Sequence, residues 1–244
     1  MQAKIHKIDA TNEIKGRTFT GSPSLDLSED TSAMMLHYRP YYNEDQVPVD
    51  GVYSENGFWG RNIVVSDCMI DGRNCAEGLK ISFGHNIVIK DCIIHGGYED
   101  CVDIVRGANI FFNRCKFISH NTKQHFTIKG GARTVRILDC EFVNDFRSRC
   151  DGAIIDIGNW TNYDIISRPK TRDIIVENCT LTNIKFKLLS RILHGVTPKV
   201  INTKGTVFRV PRLITMIFFY LRRCGKLGSV VSISDEDRAL YTLE

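Results

Sequence analysis

One pattern of polar and apolar residues recurs five times between residues 60 and 184. Each copy opens with a polar residue, continues with apolar residues at alternate positions, and then passes a mostly polar pair, a cysteine and a further apolar residue. Such alternation predicts a strand with one buried face, and the polar pair predicts a bend. The copies are Asn62–Ile70, Asn86–Ile94, Asn109–Phe117, Thr134–Phe142 and Asp173–Leu181.

A second short strand is predicted after most of these copies, followed by glycine or a polar turn. The predicted second strands are Gly78–Ser82, Cys101–Val105, His125–Lys129 and Ile154–Gly158. The repeat cysteines lie 24, 23, 25 and 39 residues apart, the last interval being lengthened by an insertion around residues 159–170. This period fits one coil of a solenoid, in which stacking places cysteine on cysteine and isoleucine on isoleucine. We therefore predict an all-β fold, a right-handed parallel β-helix of about five coils.

The pattern divides the chain into three predicted parts. Residues 1–59 form an N-terminal cap of short strands and loops, residues 60–184 form the parallel β-helix, and residues 185–244 form a basic, partly helical C-terminal segment. Phe186–His194 has helical apolar spacing, and Arg212–Cys224 is apolar on nearly all sides between Pro211 and Gly225. The second helix is either a cap buried on the last coil or a docking element. The predicted docking residues are Arg212, Met216, Phe218, Phe219, Tyr220, Arg222 and Arg223.

The repeat, written N-[IV]-x-[IV]-x-x-C-x-[IF], resembles the pectate-lyase-like β-helix superfamily. That group includes pectate lyases, polygalacturonases and bacteriophage tailspike proteins. The resemblance covers roughly residues 60–184, about half of the chain. It indicates the fold more strongly than an activity, because the repeat residues are those that build a core.

The resemblance implies that a polymer would lie along the outer face of one sheet. Outward positions of the second strand include Asp103 and Asp156, and these residues with Asp100 and Lys129 are the candidate catalytic groups. Hydrolysis would use two carboxyl groups, whereas a lyase would hold Ca²⁺ with Glu99, Asp100 and Asp103 and use Lys129 or Arg106 as a base. The hydrolase signature G-H-G and the lyase segment v-W-i-D-H have no matching positions. The alternative is a set of solvent-facing ion pairs between coils.

Other side chains suggest weaker sites. Lys80, with Trp160 and Tyr163 in the insertion, is a candidate carbohydrate-binding set, since aromatic rings stack on sugars. His95, His120 and His125, which lie in the repeats, are an alternative candidate metal site, and hydrogen bonding in turns is the competing role for histidines at such positions. No zinc-type cysteine spacing is present, so we predict no metal site and no cofactor other than Ca²⁺ for a lyase.

Charge is distributed unevenly along the chain. The net charge is +4, yet residues 1–60 hold nine acidic and five basic residues, while residues 178–234 hold ten basic residues and no acidic one. That basic stretch is either a solvated face or a contact for nucleic acid, an anionic polysaccharide or an acidic protein. Residues 1–10 lack the apolar core of a secretory signal, and no apolar run is long enough to span a bilayer.

Three functions are compatible with these features. The first is a virion-associated structural or host-attachment protein of bacteriophage type, made in the host cytoplasm and docked into a larger assembly, with a homotrimer favoured. The second is a lyase or hydrolase of an acidic polysaccharide, secreted by a route that the sequence does not show. The third is a carbohydrate-binding module without catalysis.

Overall fold

The computed structural model describes residues 12–21, 31–37, 56–120, 122–145, 154–158, 170–184 and 188–223 of the 244-residue chain. Within these ranges, 21 strands form three sheets and one helix follows the last strand. Strand pairing is parallel in all three sheets, which confirms the predicted all-β class. The helix α1 (Arg212–Arg223) matches the predicted helix, whose expected end at Cys224 lies outside the described residues.

The strands are numbered in chain order and grouped by sheet. Sheet I, in spatial order, consists of β1 (Asn12–Lys15), β5 (Arg61–Ser66), β8 (His85–Lys90), β11 (Ala108–Asn113), β14 (Arg133–Leu138), β17 (Arg172–Glu177) and β20 (Lys199–Ile201). Sheet II consists of β21 (Thr206–Arg209), β19 (Leu188–Ile192), β16 (Ile155–Ile157), β13 (Gln124–Lys129), β10 (Asp100–Val105), β7 (Glu77–Ser82), β3 (Ser32–His37) and β4 (Gly57–Trp59). Sheet III consists of β18 (Thr180–Thr182), β15 (Glu141–Asn144), β12 (Lys116–Ser119), β9 (Ile93–His95), β6 (Met69–Asp71) and β2 (Thr18–Thr20).

From β5 to β19 the chain passes through sheet I, sheet III and sheet II in turn, and then repeats this path. Each strand pairs with the equivalent strands of the preceding and following repeats, as β8 does with β5 and β11. Equivalent repeat positions therefore lie side by side, for example Ile63, Ile87 and Ile110. The right-handed winding predicted from the sequence stays a prediction.

The interior consists of stacked apolar side chains from the three sheets. The residues predicted to point inward from the second strands are all fully buried: Leu79, Ile81, Val102, Ile104, Phe126, Ile128, Ile155 and Ile157. The five repeat cysteines are also buried and free: Cys68, Cys92, Cys115, Cys140 and Cys179. This confirms their predicted role in packing, for which a small and weakly polar side chain is suitable.

The polar positions of the repeat have a backbone function. The five opening residues and the residue before each repeat cysteine all have φ between 51° and 56°. This left-handed conformation is most accessible to Asn and Asp among residues that carry a side chain, and these types occupy most of the positions. The residue before each repeat cysteine forms the bend between sheets I and III, and the opening residue lies at the start of each repeat's sheet I strand. Both backbone positions thus depend on residues that the sequence already shows to be polar.

Amide side chains at the opening position also bond from coil to coil. Asn86 Nδ2 donates to Asn62 Oδ1 at 2.8 Å, and Asn109 Nδ2 donates to Asn86 Oδ1 at 3.0 Å. Asparagine at the opening position therefore provides both the positive φ at the start of a sheet I strand and a hydrogen bond that holds the register of neighbouring repeats.

The helix predicted over Phe186–His194 is wrong. Leu188–Ile192 form β19, which pairs in parallel with β16 and places Ser190 beside Ile155. The apolar spacing was compatible with a helix, but pairing with an open strand of sheet II satisfies the backbone and buries Leu189 and Ile192. Strands β1 to β4 and β19 to β21 also extend the three sheets beyond residues 60–184.

The positive φ at the opening position makes a testable prediction at Asn86. Asn86→Gly loses the amide bonds but tolerates positive φ, whereas Asn86→Ala also forces an alanine into the left-handed region. We expect the glycine variant to be more stable by up to about 1 kcal/mol, the reverse of the usual order within a strand. Urea unfolding measures the difference. The matched pair Lys90→Gly and Lys90→Ala, in the same strand, should keep the usual order, and an alanine variant at position 86 that is the more stable of its pair would contradict this assignment.

Candidate functional site

The outer face of sheet II carries a row of polar residues, one from each successive strand. This row, here called the charged column, consists of Lys80, Asp103, Thr127, Asp156 and Arg191. Lys80, Asp103 and Asp156 are sequence-predicted site residues, and the register places them on β7, β10 and β16. Asp100 is the first residue of β10, and Lys129 is the last residue of β13.

Asp103 is the centre of an ion-pair cluster. Its Oδ2 lies 2.6 Å from Lys80 Nζ and 3.0 Å from Lys129 Nζ. Lys80 Nζ also lies 3.0 Å from Glu77 Oε1. No described group forms a hydrogen bond with Asp103 Oδ1, although that atom is buried. The cluster therefore joins three consecutive strands of sheet II through charged side chains.

Asp100 has a different environment from Asp103. Its Oδ1 accepts a hydrogen bond from Thr127 Oγ1 at 3.0 Å, and Thr127 Oγ1 accepts one from Gln124 Nε2 at 2.9 Å. Burial and the negative charge of Asp103 raise the pKa of Asp100 well above its usual value. Burial alone would also raise the pKa of Asp103, but Lys129 and Lys80 lower it below its usual value. The two carboxyl groups therefore favour opposite protonation states.

Asp100 and Asp103 have one property of a catalytic acid–base pair, but their surroundings lack two others, a suitable base in Lys129 and a short distance between Asp103 and Asp156. Divergent carboxyl pKa values are typical of catalytic pairs. Lys129 is unsuited to act as a base, however. Burial alone would lower the pKa of its ammonium group, but the charges of Asp103 and Asp100 and the hydrogen bond to Asp103 together raise it above its usual value. Asp103 and Asp156 stand two strands apart with Thr127 between them, a backbone separation of about 10 Å.

Asp156 has a partner that the sequence did not reveal. Arg191 Nε donates to Asp156 Oδ1 at 2.9 Å, and a second bond joins Arg191 Nη2 to Asp156 Oδ2. Sequence reasoning missed Arg191 because it had been assigned to a helix. The available signal was the match of Ser190-Arg191-Ile192 with Ile155-Asp156-Ile157, which places an arginine at the position of the aspartate.

Four residues of the charged column are buried and Arg191 is half-buried, which corrects the prediction that its ion pairs face solvent. The pairs between coils are present, but the exposed fractions of Lys80, Asp103, Thr127 and Asp156 are only 1–4%. Strand alternation shows on which face of the sheet a side chain lies. Whether that face is exposed to solvent depends on other parts of the fold. In this structure a polymer has no direct access to these carboxylates.

The coil histidines are brought together only in part. His95 Nδ1 lies 2.8 Å from His120 Nε2 with the rings stacked, and His120 Nδ1 lies 2.8 Å from Asp145 Oδ2. His125 is instead fully buried, with Nε2 3.1 Å from the carbonyl oxygen of Val143. Within the described ranges, no group of three or more histidine, cysteine or acidic side chains is arranged to hold a metal ion.

Only some of the remaining predicted site residues lie within the described part of the chain. Trp160 and Tyr163 lie outside the described residues. In α1, the side chains of Arg212, Met216 and Tyr220 are exposed, and their docking role stays a prediction. The side chains of Phe218, Phe219, Arg222 and Arg223 also lie outside what the structure describes, although their backbone belongs to the helix.

The described apolar side chains of α1 are strongly exposed. The exposed fractions are 68% for Leu213, 43% for Ile214, 55% for Met216, 48% for Ile217 and 66% for Tyr220. Among the described elements, no strand packs extensively against α1. The alternative of a helix buried on the last coil is therefore wrong for these side chains. No helix in the described part of the chain has the length and apolarity that a membrane crossing requires.

Comparisons of the chain with protein families, with curated proteins and with solved structures found no match. The similarity to the pectate-lyase-like superfamily therefore stays a prediction that rests on the repeat residues alone.

The ion-pair cluster predicts a large effect of Asp103→Asn on stability. The substitution leaves Lys80 and Lys129 buried without their shared carboxylate, so we expect the free energy of unfolding to fall by about 3–5 kcal/mol. Urea unfolding measures this change. The matched control is Asp91→Asn, which removes an exposed ion pair with Arg114 between neighbouring coils and should change stability little. Equal effects of the two substitutions would show that the buried cluster has no special structural role.

The raised pKa of Asp100 predicts a pH dependence of stability. Between about pH 3.9, the usual pKa of aspartate, and the higher pKa in the folded chain, the folded state binds a proton that the unfolded state releases. Stability must therefore fall as the pH rises through this window. Asp100→Asn removes that contribution, so the variant should lose less stability than the parent between pH 4 and pH 8. Urea unfolding across this range measures both slopes, and identical slopes would contradict the assignment.

Proposed function

We propose that the chain is a structural or host-attachment protein of the virion-associated type, which docks into a larger assembly through α1. The exposed apolar face of α1 is the observation that carries this proposal. A 12-residue helix is only marginally stable in water unless it packs on something, and the described strands provide no extensive contact. A partner surface would supply the missing burial.

The charged column supports a structural role for sheet II. Its carboxylates are buried and bonded to cations of the same chain, which leaves little for a polymer to bind. Paired charges of this kind fix which strands lie together, because a shift of register would bury a charge without its partner. Sheet II therefore has the properties of a scaffold that presents the end of the chain.

The finer features of the proposal follow from the repeat. We propose that the three sheets wind as a right-handed parallel β-helix, since crossover connections between parallel strands are right-handed in almost all proteins. Copies of the chain would associate, with a trimer favoured, and the protein would reside in the virion. A secreted polysaccharide lyase or hydrolase is the alternative, favoured by one observation: the divergent pKa values of Asp100 and Asp103.

The proposal predicts that α1 controls association of the full chain. Size-exclusion chromatography with light scattering should show concentration-dependent oligomers, because copies can cover the apolar faces of one another's helices. Leu213→Glu/Ile217→Glu should give a monomer. Met69→Glu/Ile93→Glu introduces the same charges at exposed apolar positions of sheet III and should leave association unchanged.

Two results would contradict the proposed function. One is a parent chain that stays monomeric at all concentrations and binds no partner surface. The other is cleavage of an acidic polysaccharide by the parent chain that is abolished by Asp103→Ala, which would favour the enzymatic alternative.

A further inference from the structure

The apolar face of α1 is broad. At 3.6 residues per turn, the exposed side chains from Met216 through Leu213 to Ile214 cover an arc of about 160° around the axis. The seam that one partner helix covers in a coiled coil is narrower than this. Two residues before α1, strand β21 adds exposed Val207 and Phe208 at the edge of sheet II. Strand β21 and helix α1, the last described elements of the chain, therefore present a broad apolar surface.

The chain segment that leads into α1 is basic. Lys199, Lys204, Arg209 and Arg212 are exposed in the same terminal region. The first turn of α1 contains no acidic residue, and residues 178–234 as a whole contain none. Pairing of identical helices would bring like charges together without a compensating carboxylate from this region. A negatively charged partner would reduce that repulsion, and it would also interact favourably with the positive end of the helix dipole.

We propose that α1 and the adjoining end of the solenoid bind an anionic lipid surface, with the helix lying in the interface. This inference rests on the proposed function and names the surface on which the protein docks. The apolar side chains of α1 would enter the boundary between headgroups and acyl chains, while the arginine and lysine side chains remain among the phosphates. Tyr220 combines an apolar ring with a polar hydroxyl, which suits the same depth.

Salt separates lipid binding from self-association. Added salt screens the attraction between a basic surface and anionic headgroups, so lipid binding weakens. Salt also screens the repulsion between like-charged helices, so their association strengthens. Under the proposed function, copies of the chain in solution would cover one another's apolar faces despite this repulsion. A vesicle surface would compete for the same side chains and release the copies from the oligomer.

The experiment is co-sedimentation of the full chain with vesicles. One set contains phosphatidylcholine alone and the other contains about 30% phosphatidylserine, a composition that gives a negative surface potential. We expect binding to the anionic vesicles only, weakened by added salt. Leu213→Glu/Ile217→Glu should abolish it, while Met69→Glu/Ile93→Glu should not. Lys199→Gln/Lys204→Gln should weaken it by about fivefold for each charge removed.

Each other outcome has a defined meaning. A chain that self-associates but ignores anionic vesicles overturns the lipid inference and leaves the proposed function intact, with a protein as the docking partner. A monomer that ignores vesicles overturns both. Equal binding to neutral and anionic vesicles, or binding that Leu213→Glu/Ile217→Glu does not reduce, also overturns the inference. Thermal unfolding followed by circular dichroism verifies that each variant retains the fold.

Discussion

Coil-to-coil register is the constraint on which the rest of this structure depends. Each strand satisfies its backbone groups with the equivalent strands of neighbouring repeats, so every interior residue lies beside its own counterpart. The polar bend residues maintain this arrangement by adopting positive φ, and Asn62, Asn86 and Asn109 add hydrogen bonds between their side chains. The same register places the residues of the charged column next to one another and decides which carboxylate meets which cation.

Much of the fold was accessible from the sequence because the repeat encodes it locally. Alternating apolar residues, a left-handed bend and a buried cysteine each have a short sequence signature, and the inward residues of sheet II were predicted one by one. The segment around Arg191 was not accessible in this way. Its apolar spacing suits a helix, and only pairing with β16, a contact between distant parts of the chain, determines that it forms a strand.

The candidate site was predicted less completely for a related physical reason. Strand alternation identified Lys80, Asp103 and Asp156 as outward residues of one column, and the structure places them there. Their burial could not be read from alternation, since it depends on what covers the outer face of sheet II. Burial changes the chemistry: it separates the pKa values of Asp100 and Asp103, and it makes the ion pairs part of the scaffold.

The central proposal is that α1, against which no described strand packs extensively, is a docking helix supported by the three sheets. Hydrogen exchange of the full chain at low concentration, followed by mass spectrometry, tests it most directly. The account predicts slow exchange for β7, β10 and β13 and fast exchange for α1, with protection of α1 appearing only when copies associate or a surface is supplied. Slow exchange of α1 in the isolated monomer, comparable with that of the sheet II strands, would contradict the account, because it would show that the helix already packs on its own chain.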